Sequence, residues 1–110
     1  MGHGTESINW KTIATRAFQI LHFTANELLL PEYLRDLDVP RLDRSKGVVL
    51  SGRGPVWLFG YLVHLCHPHP FVATYDPRFQ GAVVVERHHP NAPQVGEIIP
   101  LAEWASTLDR

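Results

Sequence analysis

The sequence predicts an open α/β sheet in one domain spanning residues 1–110. Three observations carry the prediction. A chain of 110 residues that is 45% hydrophobic is long enough for one core and too short for two. The run Val48-Val49-Leu50 reads as a strand buried on both faces and leads through a glycine loop into an apolar helix pattern. A second strand-favouring run, Phe71 to Tyr75, follows that helix. Strand, loop, helix, strand is the parallel crossover from which open α/β sheets are assembled.

The elements follow in order. Ile8 to Thr15 and Ala17 to Thr24 carry strand-favouring residues around Thr15-Arg16, with Phe18, Ile20 and His22 opposite in parity to Gln19, Leu21 and Phe23, so an N-terminal two-stranded β-hairpin is expected. Glu27 to Asp36 reads as a short helix around Leu28, Leu29, Tyr33 and Leu34, with Pro31 in its first turn and Pro40 ending the region. Val56 to Cys66 has large apolar residues on nearly every face, as expected of a helix clasped between a sheet and a second surface; a partner subunit would supply that surface. His67-Pro68-His69-Pro70 stops the helix and Phe71 to Tyr75 is the next strand. Asp76 to Gly81 turns, and Ala82 to Val85 is a further strand. Pro90 to Pro93 reads as a surface loop, Ile98 and Ile99 as a last short strand, and Trp104 packs from a terminal turn.

The charge balance, 10 Lys and Arg against 11 Asp and Glu for a formal net charge of −1, gives no overall basic field to draw long nucleic acid, so DNA is not an expected partner and phosphate binding must be local. With one cysteine, Cys66, there is no internal disulfide, and a reducing compartment follows. The polar start Met1-Gly2-His3-Gly4 and the shortness of the apolar run from Val56 to Val63 give no secretion or membrane signal, so a soluble cytoplasmic protein is expected.

Ser51-Gly52-Arg53-Gly54-Pro55, between strand and helix, has the make-up of an anion cradle. The two glycines admit close backbone approach, Pro55 fits the first helical turn, the helix amides face outward, and Arg53 adds a guanidinium suited to phosphate. The same residues also serve a plain chain reversal, and they match neither the nucleotide-triphosphate loop nor the dinucleotide fingerprint. Ligands in open α/β sheets sit beyond the carboxyl ends of the strands. Ser51, Arg53, Asp76 and Arg78 are therefore expected on one rim, framing an anionic ligand.

Seven histidines invite a metal or acid–base role, and five of them, His64, His67, His69, His88 and His89, lie in the second half. His64 and His67 are three apart on one predicted helix, and imidazole suits manganese, zinc, nickel or iron. Taken singly, each is also an ordinary turn residue; His3 and His22 are assigned to tail and sheet. His67 precedes the Phe71 strand and Asp76 closes it, a separation of roughly 20 Å at about 3.3 Å per residue. One subunit cannot bring both to one phosphate, so joint action requires a head-to-tail assembly that can propagate into filaments.

Lys46-Gly47-Val48-Val49-Leu50-Ser51-Gly52-Arg53-Gly54-Pro55-Val56-Trp57-Leu58, then His64, His67, Pro70-Phe71-Val72-Ala73, Tyr75-Asp76-Pro77-Arg78 and Gly81-Ala82-Val83-Val84-Val85, resemble the small Csx-three family of type III CRISPR-associated proteins, densely from about Asp43 to His88. The resemblance implies a Rossmann-like sheet of the CRISPR-associated superfamily. It implies a homodimer that binds an RNA tetranucleotide and a manganese-dependent ring nuclease that cleaves cyclic tetra-adenylate, switching off antiviral signalling. It also implies a tetramer or filament in which two dimers sandwich the ring. By matching positions it implies His67 and Asp76 as catalytic and Ser51, Gly52, Arg53, Gly54, Pro55 and Arg78 as ligand-binding. Asp76, His67, His64 and His88 become candidate ligands of Mn2+. Two positions depart from the pattern: Pro68-His69 follows His67 in place of an adjacent histidine, and Gln80 is an insertion before Gly81. A sensor that binds the ring without turnover, and a manganese-dependent exonuclease trimming linear adenylate-ended RNA, are the alternative readings.

Overall fold

The computed structural model describes residues 7–108; His3 lies outside them. Strands β1 (Ile8–Ala14) and β2 (Phe18–Ala25) pair antiparallel, from Ile8 opposite Ala25 to Ala14 opposite Gln19. Thr15 closes the turn between them: its amide and hydroxyl both donate to the Phe18 carbonyl, at 2.9 and 2.8 Å, and the hydroxyl accepts from the Phe18 amide at 3.1 Å. β3 (Gly47–Arg53) lies parallel to β2, and β4 (Phe71–Asp76) lies parallel to β3 across the helix α1 (Val56–Leu65). β5 (Gly81–Arg87) and β6 (Ile98–Pro100) continue antiparallel, giving one mixed six-stranded sheet in sequence order. A small α/β domain with few helices is the result.

Both faces of the sheet centre are covered. On one side Leu21, Phe23, Val48, Leu50 and Val72 pack with Leu58, Leu62 and Cys66. On the other, Ile20, Val49, Phe71, Ala73 and Val84 pack with Leu101 and Leu108 of the C-terminal segment, where α2 (Ala105–Leu108) follows a short 3₁₀ turn. Val48, Val49 and Leu50 are fully buried, as an unbroken apolar run in a parallel strand requires. Trp104 meets the edge of Phe18 at 6.1 Å.

The helix expected over Glu27 to Asp36 is shorter and tighter than the sequence implies: only Pro31–Asp36 coils, as a 3₁₀ helix. Pro31 is the cause. The residue before a proline is pushed out of the helical region, and Leu30 is extended at φ −102°, ψ 142°. Tyr33, Leu34 and Leu37 from this segment pack at the edge of the α1-side core, so part of the second surface expected against α1 comes from the chain itself. Among the described residues no helix is long and apolar enough to cross a membrane.

Candidate functional site

β4 separates two clusters of polar side chains. At its N-terminal end, α1 finishes at Leu65 and the chain turns through Cys66, whose amide bonds the carbonyls of Leu62 and Val63 at 3.0 and 3.2 Å. His67 leaves this turn into solvent. Facing it are Glu86 on β5 and His88, the residue just beyond the strand's end at Arg87. The His88 Nε2 and Glu86 Oε1 atoms are 2.9 Å apart, His67 Nδ1 is 3.7 Å from the same oxygen, and the His67 and His88 rings meet edge to face at 4.3 Å.

A register shift in the β4–β5 pair makes this possible. Ala73 lies opposite Val84 but Val72 lies opposite Glu86, so Val85 is an extra, unpaired residue. Directly opposed residues share a face. In an unbroken ladder Glu86 would share the face of Val84, packed against the C-terminal segment; the bulge turns it to the face of Val72, where α1 delivers His67. Bulges re-aim side chains in this way beside functional sites.

His67, Glu86 and His88 place one ligand atom each within 4.8 Å of one another. Two imidazoles and a carboxylate, partly open to solvent, suit a borderline divalent ion such as zinc, while the carboxylate and the open positions for exogenous oxygen ligands also admit the harder manganese. His64, in the last turn of α1, is not in the group; its ring lies 6.1 Å from that of Tyr61. The helix ends between His64 and His67, so the three-residue helical spacing does not continue to His67. His69 is buried, with Nδ1 3.0 Å from the Lys46 carbonyl oxygen.

At the opposite end of β4, Asp76 and Arg78 form a fork. Arg78 Nε donates to both carboxylate oxygens at 3.1 and 3.2 Å, Nη2 to one at 2.7 Å, and the Arg78 amide to the other at 3.0 Å. These hydrogen bonds hold the Asp76 carboxyl below the usual carboxylate range and raise the guanidinium. The guanidinium also lies 5.7 Å from the Phe79 ring centre. Gln80 takes the left-handed conformation, φ 44°, to close this turn, and its carbonyl accepts from the Leu101 amide at 2.9 Å. Gly52, Arg53, Tyr75, Pro77 and Leu108 line a cavity of about 330 Å³, so the ends of β3 and β4 do share a rim.

The glycine loop has a packing reason that its sequence did not disclose. Gly52 adopts φ +145°, and a Cβ there would sit 2.3 Å from the Phe23 carbonyl oxygen; one on Gly54 would sit 2.9 Å from the Phe23 ring. Pro55 is the N-cap of α1 and not its first helical residue. Ser51 is buried, its hydroxyl 3.1 Å from His22 Nδ1 on the face away from α1. Burial, with the Lys11 charge second, keeps the His22 imidazole below its usual pKa.

Of the residues singled out from sequence, the fold thus brings His67 and His88 together, groups Gly52 and Arg53 beside the Asp76–Arg78 turn, and leaves Asp76 at the far end of β4 from His67. Glu86 was missed. Its spacing of two from His88 was the available signal, masked because the bulge reverses its expected face.

The family model described as CRISPR-associated protein (Cas_csx3) matches residues 22–100. A relative from Aquifex aeolicus (strain VF5), described as an uncharacterized protein, is 42% identical over 84 residues, covering 73% of this chain and 75% of that one.

Proposed function

This chain belongs to the Cas_csx3 family of CRISPR-associated proteins, and we propose that it is a metal-dependent phosphodiesterase, a ring nuclease that binds and cleaves cyclic tetra-adenylate and so switches off type III CRISPR signalling. The observation that carries this reading is the His67, Glu86 and His88 group. On this reading the mixed sheet is a variant of the Rossmann-like architecture, and the protein works in the cytoplasm as a homodimer.

The three side chains of the group would hold Mn2+, which when bound supplies Lewis-acid charge neutralisation at a phosphoryl oxygen. Where His67 does not ligate the ion, its imidazole would instead transfer a proton to or from the reacting groups. Arg53, the backbone of the glycine loop and Arg78 would engage phosphates of the ring at the other end of the sheet. Since Asp76 is separated from His67 by the length of β4, its contribution to the reaction would come from a neighbouring copy stacked head to tail, in a tetramer or filament around the ligand.

The sensor reading has one observation in its favour: the Asp76 carboxylate is fully engaged by Arg78. One experiment separates the two. Labelled cyclic tetra-adenylate is incubated with the protein, with manganese or EDTA, over a range of protein concentrations. Manganese-dependent conversion to linear di-adenylate that rises steeply with concentration is the expected result. Tight binding with no conversion at any concentration would leave a sensor.

A further inference from the structure

Beside the His67 group lies a cavity of about 570 Å³ lined by Arg41, Arg44, Leu65, Cys66, Pro68 and His69 among others. We infer that it is an anion subsite that holds a phosphate of an oligonucleotide strand next to the His67, Glu86 and His88 group. This inference rests on the phosphodiesterase reading for the identity of its ligand, but not for the site itself.

The wall that carries the arginines is held in place by buried polar contacts. Gln19 is buried on β2 and spends its whole amide on this segment: Nε2 donates to the Asp43 carbonyl at 2.7 Å and Oε1 accepts from the Asp43 amide at 2.9 Å. Lys46 anchors the segment's end by donating from Nζ to the Thr15 carbonyl at 2.7 Å. The Lys46 carbonyl in turn receives the imidazole of His69. A carbonyl only accepts, so Nδ1 carries the hydrogen, and in the neutral imidazole Nε2 is an acceptor; the residue is 6% exposed and lines the cavity. Such a buried glutamine tied to backbone on both atoms makes a loop rigid, and a rigid loop binds a ligand without the entropy cost of ordering.

The charge of this wall is not consumed internally. Neither Arg41 nor Arg44 is in an ion pair among the described residues. Asp43, between them, accepts the amide and hydroxyl of Ser45 on Oδ1 at 2.9 and 2.7 Å and does not line the cavity. The hollow is lined by Val39, Leu42 and Leu65 as well as by Arg41 and Arg44, and two guanidiniums on such a wall recognise phosphate oxygens, each with a planar fork of donors. The His69 acceptor adds a partner for a ribose hydroxyl, which selects RNA over a simple anion. Pro68 and His69 connect this wall to His67 directly, so a strand seated here passes the candidate metal group.

The test is binding of fluorescein-labelled linear tetra-adenylate, read by anisotropy in EDTA so that no turnover occurs, at several salt concentrations. The double variant Arg41→Gln/Arg44→Gln is expected to weaken binding at least tenfold at about 50 mM salt. Its plot of log affinity against log salt should be shallower by about 1.4, roughly 0.7 for each lost phosphate contact. Arg41→Lys/Arg44→Lys should recover part of both, and Arg35→Gln, an exposed arginine outside the cavity, should stay within twofold of the unmodified protein. Binding by the glutamine pair within twofold of the unmodified protein overturns the inference, as does an equal loss in Arg35→Gln or no binding by the unmodified protein. The metal-centre reading is tested separately by adding manganese. Arginine-dependent binding without cleavage keeps the subsite and removes the nuclease, whereas cleavage indifferent to the arginine pair does the reverse.

Discussion

Gly52→Ala separates a packing role for the glycine loop from a ligand-binding one. The new Cβ would face two penalties. Gly52 sits at φ +145°, a region L residues enter at a cost of about 1–3 kcal/mol. Its Cβ would also lie 2.3 Å from the Phe23 carbonyl oxygen. That oxygen belongs to the residue paired with Gly52 in the β2–β3 ladder, so it cannot move without opening the sheet. The sum is about 3 kcal/mol or more, against a total stability of about 5–15 kcal/mol for a typical domain. At roughly 1–3 kcal/mol per molar urea, the midpoint should fall by at least about 1 M. Tryptophan fluorescence reports it, because Trp10 packs 6.0 Å from the Phe23 ring. Gly60→Ala is the control: its Cβ would meet nothing within 4 Å, on an exposed helical turn, and it should stabilise by about 0.5–1 kcal/mol. An unchanged midpoint for Gly52→Ala together with lost oligonucleotide binding would refute the packing argument and return the glycine to the ligand.

Deleting Val85 removes the one unpaired residue of the β4–β5 ladder and leaves Glu86 opposite Val72, on the face where His67 stands; manganese affinity by calorimetry should stay within a few-fold in a protein that still unfolds cooperatively, and a loss of tenfold or more would exclude pairing with Val72 as what aims Glu86. Burial, reinforced by the nearby Glu86 charge, raises the Cys66 thiol from 9.0 to about 11. Because the folded value is the higher one, its contribution is complete below pH 9 and is lost as pH rises toward 11, on the order of 1–2 kcal/mol once solvent screening is allowed for; Cys66→Ala should flatten this part of the stability–pH curve, and an unchanged curve refutes the assignment. His22 has the opposite sign, its folded pKa lying below the usual 6.5: its contribution is present above that value and is lost as pH falls below it. Urea midpoints between pH 7 and 5 should therefore drop more steeply for the unmodified protein than for His22→Gln, and parallel curves would remove His22 as the cause.

Much of the candidate site could be read in the chain before the fold was known. His67 and His88 stood out as two of the five histidines clustered in the second half and as positions that match the family pattern. The separation of His67 from Asp76 followed from strand rise alone. Glu86 was not legible, since a single acidic residue at a strand end is ordinary until its neighbours in space are known. The roles of Arg41 and Arg44 were equally hidden, because the contacts that fix their loop come from Gln19 and Lys46, 24 and 31 residues from their partners.

What the amino-acid sequence determined by itself is what depends on local composition. The unbroken apolar run of β3, the proline and glycine punctuation, the helix between two parallel strands and the terminal Ile98–Ile99 strand all follow from side-chain period and backbone preference, which act within a few residues. Only the tertiary structure decided which residues share a face once the ladder is broken, and why Gly52 must be glycine. One unpaired residue, Val85, reverses the side on which Glu86 emerges, and one ring, Phe23, occupies the space a side chain at residue 52 would need. Both are consequences of register between strands, a quantity fixed by pairing across the sheet and not written in either strand alone.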